Sequence, residues 1–145
     1  MTSRFAAALA LTALTIPLVA QDKPAPAKPT GIMAELQGAW TMTASNGEAM
    51  PAGQELVTTV TDNRYERTVN GQVVERGTFK IDESQKPMTV DISVADGPDA
   101  GQSAVGIFQL NGKTLTVKFA QPGSTVRPTD FAVADGFQVL VMAKK

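Results

Sequence analysis

Apolar and polar residues alternate along most of the chain after residue 38, which is the pattern of half-buried β-strands. The alternation is clearest from Met88 to Val94, where every second residue is apolar and the residues between are polar. The last apolar stretch differs, because Leu140 and Met142 make it apolar on both faces. Together these stretches predict about eight strands, over residues 39–45, 54–61, 64–70, 72–81, 88–94, 103–110, 113–120 and 137–143.

The connections between these strands are short and carry turn residues. Three Asn-Gly pairs, Asn46-Gly47, Asn70-Gly71 and Asn111-Gly112, are typical of two-residue type I′ hairpins, whose central residues both need positive φ. Short connections make neighbouring strands antiparallel, and about eight such strands close readily into an up-and-down barrel without free edges. The predicted fold class is therefore an all-β, lipocalin-like antiparallel barrel, with a two-sheet sandwich as the alternative.

A short helical turn is expected just before the first strand. Ile32, Met33 and Leu36 recur at helical spacing, and Gly38 can end the turn with positive φ.

The N-terminal region has the pattern of an export signal followed by a spacer. An apolar run over residues 5–20 follows Arg4, which predicts a signal peptide of residues 1–20 with Ala20 as the last residue removed. Residues 21–30 hold three of the nine prolines and predict a stiff Pro/Ala-rich linker. The folded domain is then 31–145, and the expected location is extracytoplasmic, either periplasmic or secreted. The alternative is an uncleaved anchor, the one case in which membrane contact is expected.

Composition narrows the chemistry. The chain has no Cys and no His, which removes thiolate nucleophiles, the commonest general base and the commonest metal ligands. A net charge of −1 without a basic cluster argues against nucleic-acid binding. No serine lies in a nucleophile motif, and acidic residues such as Glu66 and Glu75 are interpreted as solvated strand faces. We therefore expect no catalytic residues, no metal site, no cofactor and no enzyme activity.

Several segments resemble a known family. Gly38-Ala39-Trp40 at the start of the first strand is similar to the Gly-x-Trp signature of lipocalin and calycin barrels. With the segments 77–82, 106–110 and 127–131, it resembles an uncharacterised lipocalin-like domain found in many copies in planctomycete bacteria. The resemblance covers nearly all of residues 34–145 and implies a β-barrel and export, and the family has no established activity. Lys118 stands where many members of that family have Cys.

Two groups of residues are candidates for functional or structural roles. Tyr65, Phe79, Phe108 and Phe119 fall on the inward phase of their strands and are the candidate cavity lining. A barrel of this size is either filled by side chains or holds one small ligand, and the sequence leaves both possibilities open.

The only tryptophan, Trp40, is expected to plug the closed end of the barrel. The resemblance to lipocalins implies that Arg127, like an arginine near the final strand in many of them, lies across the Trp40 ring, so that the two form a structural pair at the barrel end.

Two function hypotheses follow from these expectations. The first is an exported lipocalin-like carrier or sensor that binds a small apolar ligand inside the barrel. The second is an extracytoplasmic interaction module with a filled core, which binds an envelope protein partner through its outer face or its open end. The last strand, apolar on both faces, favours this hypothesis, because an exposed apolar patch marks an interface.

Overall fold

A computed structural model of the protein describes residues 27–145. The predicted signal peptide, residues 1–20, and most of the predicted linker, residues 21–30, lie outside the described residues. One short helix precedes the strands, and the elements in chain order are α1 (Ile32–Leu36), β1 (Gly38–Ser45), β2 (Glu48–Ala49), β3 (Leu56–Thr61), β4 (Arg64–Val69), β5 (Gln72–Asp82), β6 (Met88–Asp96), β7 (Ser103–Asn111), β8 (Thr114–Ala120) and β9 (Phe137–Lys144).

The strands form a closed antiparallel barrel. From β3 to β9 each strand pairs with the next one in the chain, β1 pairs with β3, and the β1–β9 pairing closes the sheet. The predicted eight-stranded up-and-down barrel is therefore confirmed, and the two-sheet sandwich is wrong. The sequence did not predict β2, which is only two residues long and pairs with the end of β1.

Two of the three Asn-Gly turns have the predicted conformation. Asn46 and Gly47 have φ of 51° and 81°, and Asn70 and Gly71 have φ of 49° and 81°, as type I′ turns require. The third differs, because Asn111 is the last residue of β7 and pairs with Thr114. Gly112, with φ of 57°, is therefore the first central residue of that turn, which is the glycine position of a type II′ turn.

The helix α1 closes one end of the barrel. Leu36 is 5% exposed and Trp40 only 1%, so both belong to the core. The Trp40 indole Nε1–H donates a hydrogen bond to the Leu36 carbonyl oxygen at 2.8 Å. Gln37 fixes the helix to the β3–β4 turn, because its side-chain Nε2 donates to the Asp62 carbonyl oxygen and its Oε1 accepts from the Asp62 N–H.

The last strand is apolar on both faces, but its outer face is largely covered. Leu140 and Met142 are buried inside the barrel with 1% and 5% exposure. Val139 points outward and is nevertheless only 6% exposed. Its neighbour across the β8–β9 register, Lys118, is buried as well, at 3% exposure. The part of the outer face around Val139 is therefore not available to a partner protein.

Lys118 shows what covers this outer face. Its Nζ donates to the Ala132 carbonyl oxygen at 2.6 Å and pairs with Asp130 Oδ1 at 3.3 Å. Both residues belong to the connection between β8 and β9, residues 121–136. The Ala132 backbone N–H and the Lys118 ammonium group lower the pKa of Asp130 below its usual value. The buried ammonium group thus fastens this connection to the barrel wall.

Candidate functional site

The barrel interior contains a cavity of about 80 Å³ that is partly open to solvent and has an almost entirely apolar wall. Tyr65, Phe79, Phe108 and Phe119 all lie on this wall. An apolar cavity of about 150 Å³ is known to bind benzene, so the present volume suits an apolar group of a few carbon atoms. The remaining lining residues are Leu36, Thr58, Val60, Arg67, Ile81, Val90, Ile92, Leu115, Val117, Leu140 and Met142.

Two of the aromatic rings on the wall lie directly against a glycine of the neighbouring strand. Tyr65 is opposite Gly77, where a Cβ atom would lie 2.8 Å from the ring atom Cε1. Phe119 is opposite Gly106, where a Cβ atom would lie 2.7 Å from the ring atom Cδ1. A Cβ atom at either glycine would overlap both the ring and a backbone carbonyl oxygen of a neighbouring strand, so neither position has room for a side chain.

Three polar side chains cross the inside of the barrel in one row. Thr58 on β3 pairs with Arg67 on β4, and Arg67 pairs with Glu75 on β5. We call Thr58, Arg67 and Glu75 the polar row. Thr58 is 8% exposed, and the side chains of Arg67 and Glu75 are 20% and 13% exposed. The polar row therefore runs from the buried interior at Thr58 to side chains that are partly open to solvent at Arg67 and Glu75.

The charges within the polar row compensate each other. Glu75 Oε1 lies 3.3 Å from Arg67 Nη1 and accepts a hydrogen bond from the Tyr65 hydroxyl at 2.8 Å. The Arg67 guanidinium carbon lies 5.9 Å from the centre of the Tyr65 ring. Burial and the hydrogen bond to Glu75 raise the pKa of Tyr65, so the hydroxyl stays protonated and remains a donor to the carboxylate.

Two atoms of the polar row are buried without a hydrogen bond. Within residues 27–145, neither Thr58 Oγ1 nor Arg67 Nε has a partner. Leaving a buried polar group unsatisfied costs about 1–3 kcal/mol, and native proteins contain few such groups. Both residues line the cavity. The residues around the apolar cavity thus include one N–H donor and one hydroxyl that have no hydrogen-bond partner, and neighbouring atoms cover both of them.

Sequence reasoning missed the polar row. It placed Glu75 on a solvated strand face, which is wrong because the side chain is 13% exposed and bonded to Tyr65 and Arg67. A signal was present in the alternation, since Tyr65 and Arg67 are two residues apart on one strand and must share a face. The usual preference of charged residues for solvent outweighed that signal.

The predicted contact between Trp40 and Arg127 is wrong. Arg127 lies on the outer side of β6 and β7, where Nη2 is 2.6 Å from Asp91 Oδ1 and Nη1 donates to the Gly106 carbonyl oxygen at 2.8 Å. The cation against the indole ring is Lys144, whose Nζ lies 5.2 Å from the ring centre. The reason is the closure of the barrel, because β1 and β9 pair with Trp40 opposite Lys144.

Comparison of the chain with models of protein families, with curated proteins and with solved structures gives no match. Among residues 27–145, no helix is long and apolar enough to cross a membrane. The same part of the chain contains no cluster of three or more acidic side chains placed to hold a metal ion. The barrel interior, with its apolar cavity, is the feature from which we infer a function.

Proposed function

We propose that this protein is an exported lipocalin-like domain that holds a small apolar molecule inside its barrel. The observation that supports the proposal is the apolar cavity of about 80 Å³. Burying apolar surface of a ligand there is favourable by about 25 cal/mol per Å². The volume restricts the buried part of the ligand to a few carbon atoms, which excludes full enclosure of a long-chain lipid.

Export is part of the same proposal and has its own test. The apolar run over residues 5–20 behind Arg4 supports a cleaved signal peptide and an extracytoplasmic location. Intact-mass measurement of the protein recovered from its own cells should give a mature chain that begins at Gln21, in the periplasmic or secreted fraction. A mature protein that retains residues 1–20 would contradict export by cleavage.

The alternative, a filled barrel that binds an envelope protein, is less well supported. Its main support is the outer apolar face of the last strand, with the open end of the barrel as the other binding surface. That face is covered around Val139, which is 6% exposed, by the connection that Lys118 fastens to the barrel. The interior, by contrast, retains open apolar volume.

The test of ligand binding compares the interior with the surface. The hydrocarbon 2-methylpentane is titrated into ¹⁵N-labelled mature protein, and binding is followed by amide chemical shifts. The cavity is partly open, so the propyl end of this probe fits inside while its branched end lies at the opening. Val117→Phe, on the cavity wall, should fill the cavity and abolish binding, whereas Val126→Phe, at a site that is 64% exposed, should leave binding unchanged. Circular dichroism should show that both variants keep the strand content of the wild type.

Two further results bear on the proposal. Native mass spectrometry of protein purified from its own cell envelope should show added mass from a retained small molecule. If wild-type protein carries no added mass and shows no shifts with the hydrocarbon, the barrel is not a binding site. Binding by Val117→Phe equal to that of the wild type would place the ligand outside the cavity.

A further inference from the structure

We infer that the natural ligand is a short-chain carbonyl compound, a ketone, aldehyde or ester, whose neutral carbonyl oxygen accepts hydrogen bonds from Arg67 Nε and Thr58 Oγ1. The inference rests on the proposed function, because it assigns the polar end of the molecule held in the same cavity. Its basis is the pair of buried polar atoms that have no partner within residues 27–145.

Arg67 Nε and Thr58 Oγ1 can both donate a hydrogen bond, so the ligand group that pairs with them is an acceptor. The Nε–H of an arginine can only donate a hydrogen bond, and a threonine hydroxyl can donate one as well. A carbonyl oxygen has two lone pairs and accepts two such bonds at once. The atoms belong to directly paired residues of β3 and β4 that both line the cavity, so a ligand oxygen against this part of the wall lies next to both side chains. Neighbouring atoms cover Thr58 Oγ1 and Arg67 Nε, so both side chains must turn toward the ligand oxygen when it binds.

The ligand should be neutral. Glu75 Oε1 lies 3.3 Å from Arg67 Nη1 and already balances the arginine charge. A ligand carboxylate at this place would face Glu75, and a ligand ammonium group would face Arg67. Either charge would also be moved out of water into an interior with an apolar wall, which is costly without a counter-charge.

The position of the polar row fixes the orientation of the ligand. Apart from the polar row, the cavity wall is apolar, and its volume of about 80 Å³ accepts a short alkyl chain. The side chains of Arg67 and Glu75 keep 20% and 13% exposure, so a substituent beyond the carbonyl has access to solvent. The alkyl chain therefore lies inside, and the carbonyl lies at the boundary of the interior.

Three probes with the same number of heavy atoms separate the contributions of the alkyl chain, the carbonyl group and the charge to binding. Pentan-2-one has the propyl chain and the carbonyl. In 2-methylpentane a carbon atom replaces the carbonyl oxygen. In butanoate a negatively charged oxygen atom replaces the methyl group that is bonded to the carbonyl carbon. Each probe is titrated into mature wild-type protein and its variants, with dissociation constants measured by amide chemical shifts.

The variants remove one donor at a time. Thr58→Val deletes the buried hydroxyl and keeps the branched shape of the side chain. Thr59→Val is the matched control, because Thr59 is exposed on the opposite face of the same strand. Arg67→Lys keeps a positive charge opposite Glu75 but has no Nε–H. Circular dichroism and thermal unfolding confirm that each variant is folded before it is titrated.

The expected result is a selective loss. Thr58→Val should weaken pentan-2-one by about fivefold to tenfold, the effect of one hydrogen bond, and leave 2-methylpentane unchanged or bound slightly tighter. Arg67→Lys should also weaken pentan-2-one relative to 2-methylpentane. Thr59→Val should change neither probe, and butanoate should bind the wild type more weakly than pentan-2-one.

Other results would overturn the inference. If pentan-2-one and 2-methylpentane respond equally to Thr58→Val and to Arg67→Lys, the polar row does not bind the carbonyl, although the proposed function stands. Tightest binding of butanoate would show an anion site instead of a neutral one. If neither pentan-2-one nor 2-methylpentane binds the wild type, the proposed function fails, and the inference fails with it.

Discussion

Trp40 should be the side chain on which the closed end of the barrel depends most. It is 1% exposed and packs between α1 and the barrel interior. Trp40→Ala should lower the free energy of unfolding by about 3–5 kcal/mol, the usual range for deleting a large buried aromatic side chain. Since domains are stable by only about 5–15 kcal/mol, the variant should be close to unfolding at ambient temperature.

Trp40→Phe separates the hydrogen bond from the volume. It keeps an aromatic ring in the core but removes the Nε1–H that donates to the Leu36 carbonyl oxygen at 2.8 Å. The expected loss is smaller, about 1–3 kcal/mol. Both variants should be measured by urea unfolding followed by far-ultraviolet circular dichroism, because Trp40 is the only tryptophan and its fluorescence is absent from both.

Double-mutant cycles distinguish the two cations considered for the indole ring. Trp40→Ala combined with Lys144→Ala should show a coupling of about 0.5–1 kcal/mol, because Lys144 Nζ lies 5.2 Å from the ring centre. Trp40→Ala combined with Arg127→Ala should be additive within about 0.5 kcal/mol. A loss below about 1 kcal/mol for Trp40→Ala would refute the plug. Coupling to Arg127 in place of Lys144 would refute the observed barrel closure.

Three further predictions follow from close contacts and titrating groups. Gly106→Ala should destabilise the fold by about 1–3 kcal/mol in urea unfolding, because its Cβ would lie 2.5 Å from the Lys118 carbonyl oxygen. Lys118→Met should speed proteolytic cleavage within residues 121–136, since it removes the hydrogen bond to the Ala132 carbonyl oxygen. Burial and the hydrogen bond to Glu75 raise the pKa of Tyr65 in the folded state. The contribution of Tyr65 to the free energy of unfolding is therefore complete below about pH 10 and is lost at higher pH, where the hydroxyl ionises in the unfolded state. The stability difference between wild type and Tyr65→Phe should therefore shrink above about pH 10.

The strands could be predicted from the sequence because their signal is local. The alternation and the turn residues placed all eight long strands within about two residues of their observed ends. The predicted position of the third Asn-Gly turn is wrong by one residue. The pairing of β7 with β8 sets the register Asn111↔Thr114, and the Asn-Gly dipeptide alone does not. The two-residue strand β2 is too short to show a period.

The contacts that depend on barrel closure could not be predicted. Lys144 meets Trp40 only because β9 returns to pair with β1, 104 residues after the tryptophan in sequence. Arg127 was assigned to the ring by similarity to other barrels, whereas in this chain the β8–β9 connection places it beside Asp91 on the outer surface. Long-range register of this kind is not encoded in any local pattern.

The polar row shows a conflict between stability and binding that Thr58→Val can measure. A Thr-to-Val change normally destabilises a core because the hydroxyl is hydrogen-bonded. Thr58 is 8% exposed, and its hydroxyl is buried and has no partner within residues 27–145. Removing the hydroxyl should therefore raise the free energy of unfolding by about 1 kcal/mol. Thr59→Val, on the exposed face, should stay within about 0.5 kcal/mol of the wild type. Higher stability of Thr58→Val together with weaker binding of pentan-2-one would mean that the Thr58 hydroxyl lowers the stability of the fold but contributes to ligand binding. A clear loss of stability would instead mean that the hydroxyl is hydrogen-bonded in solution and that its role is structural.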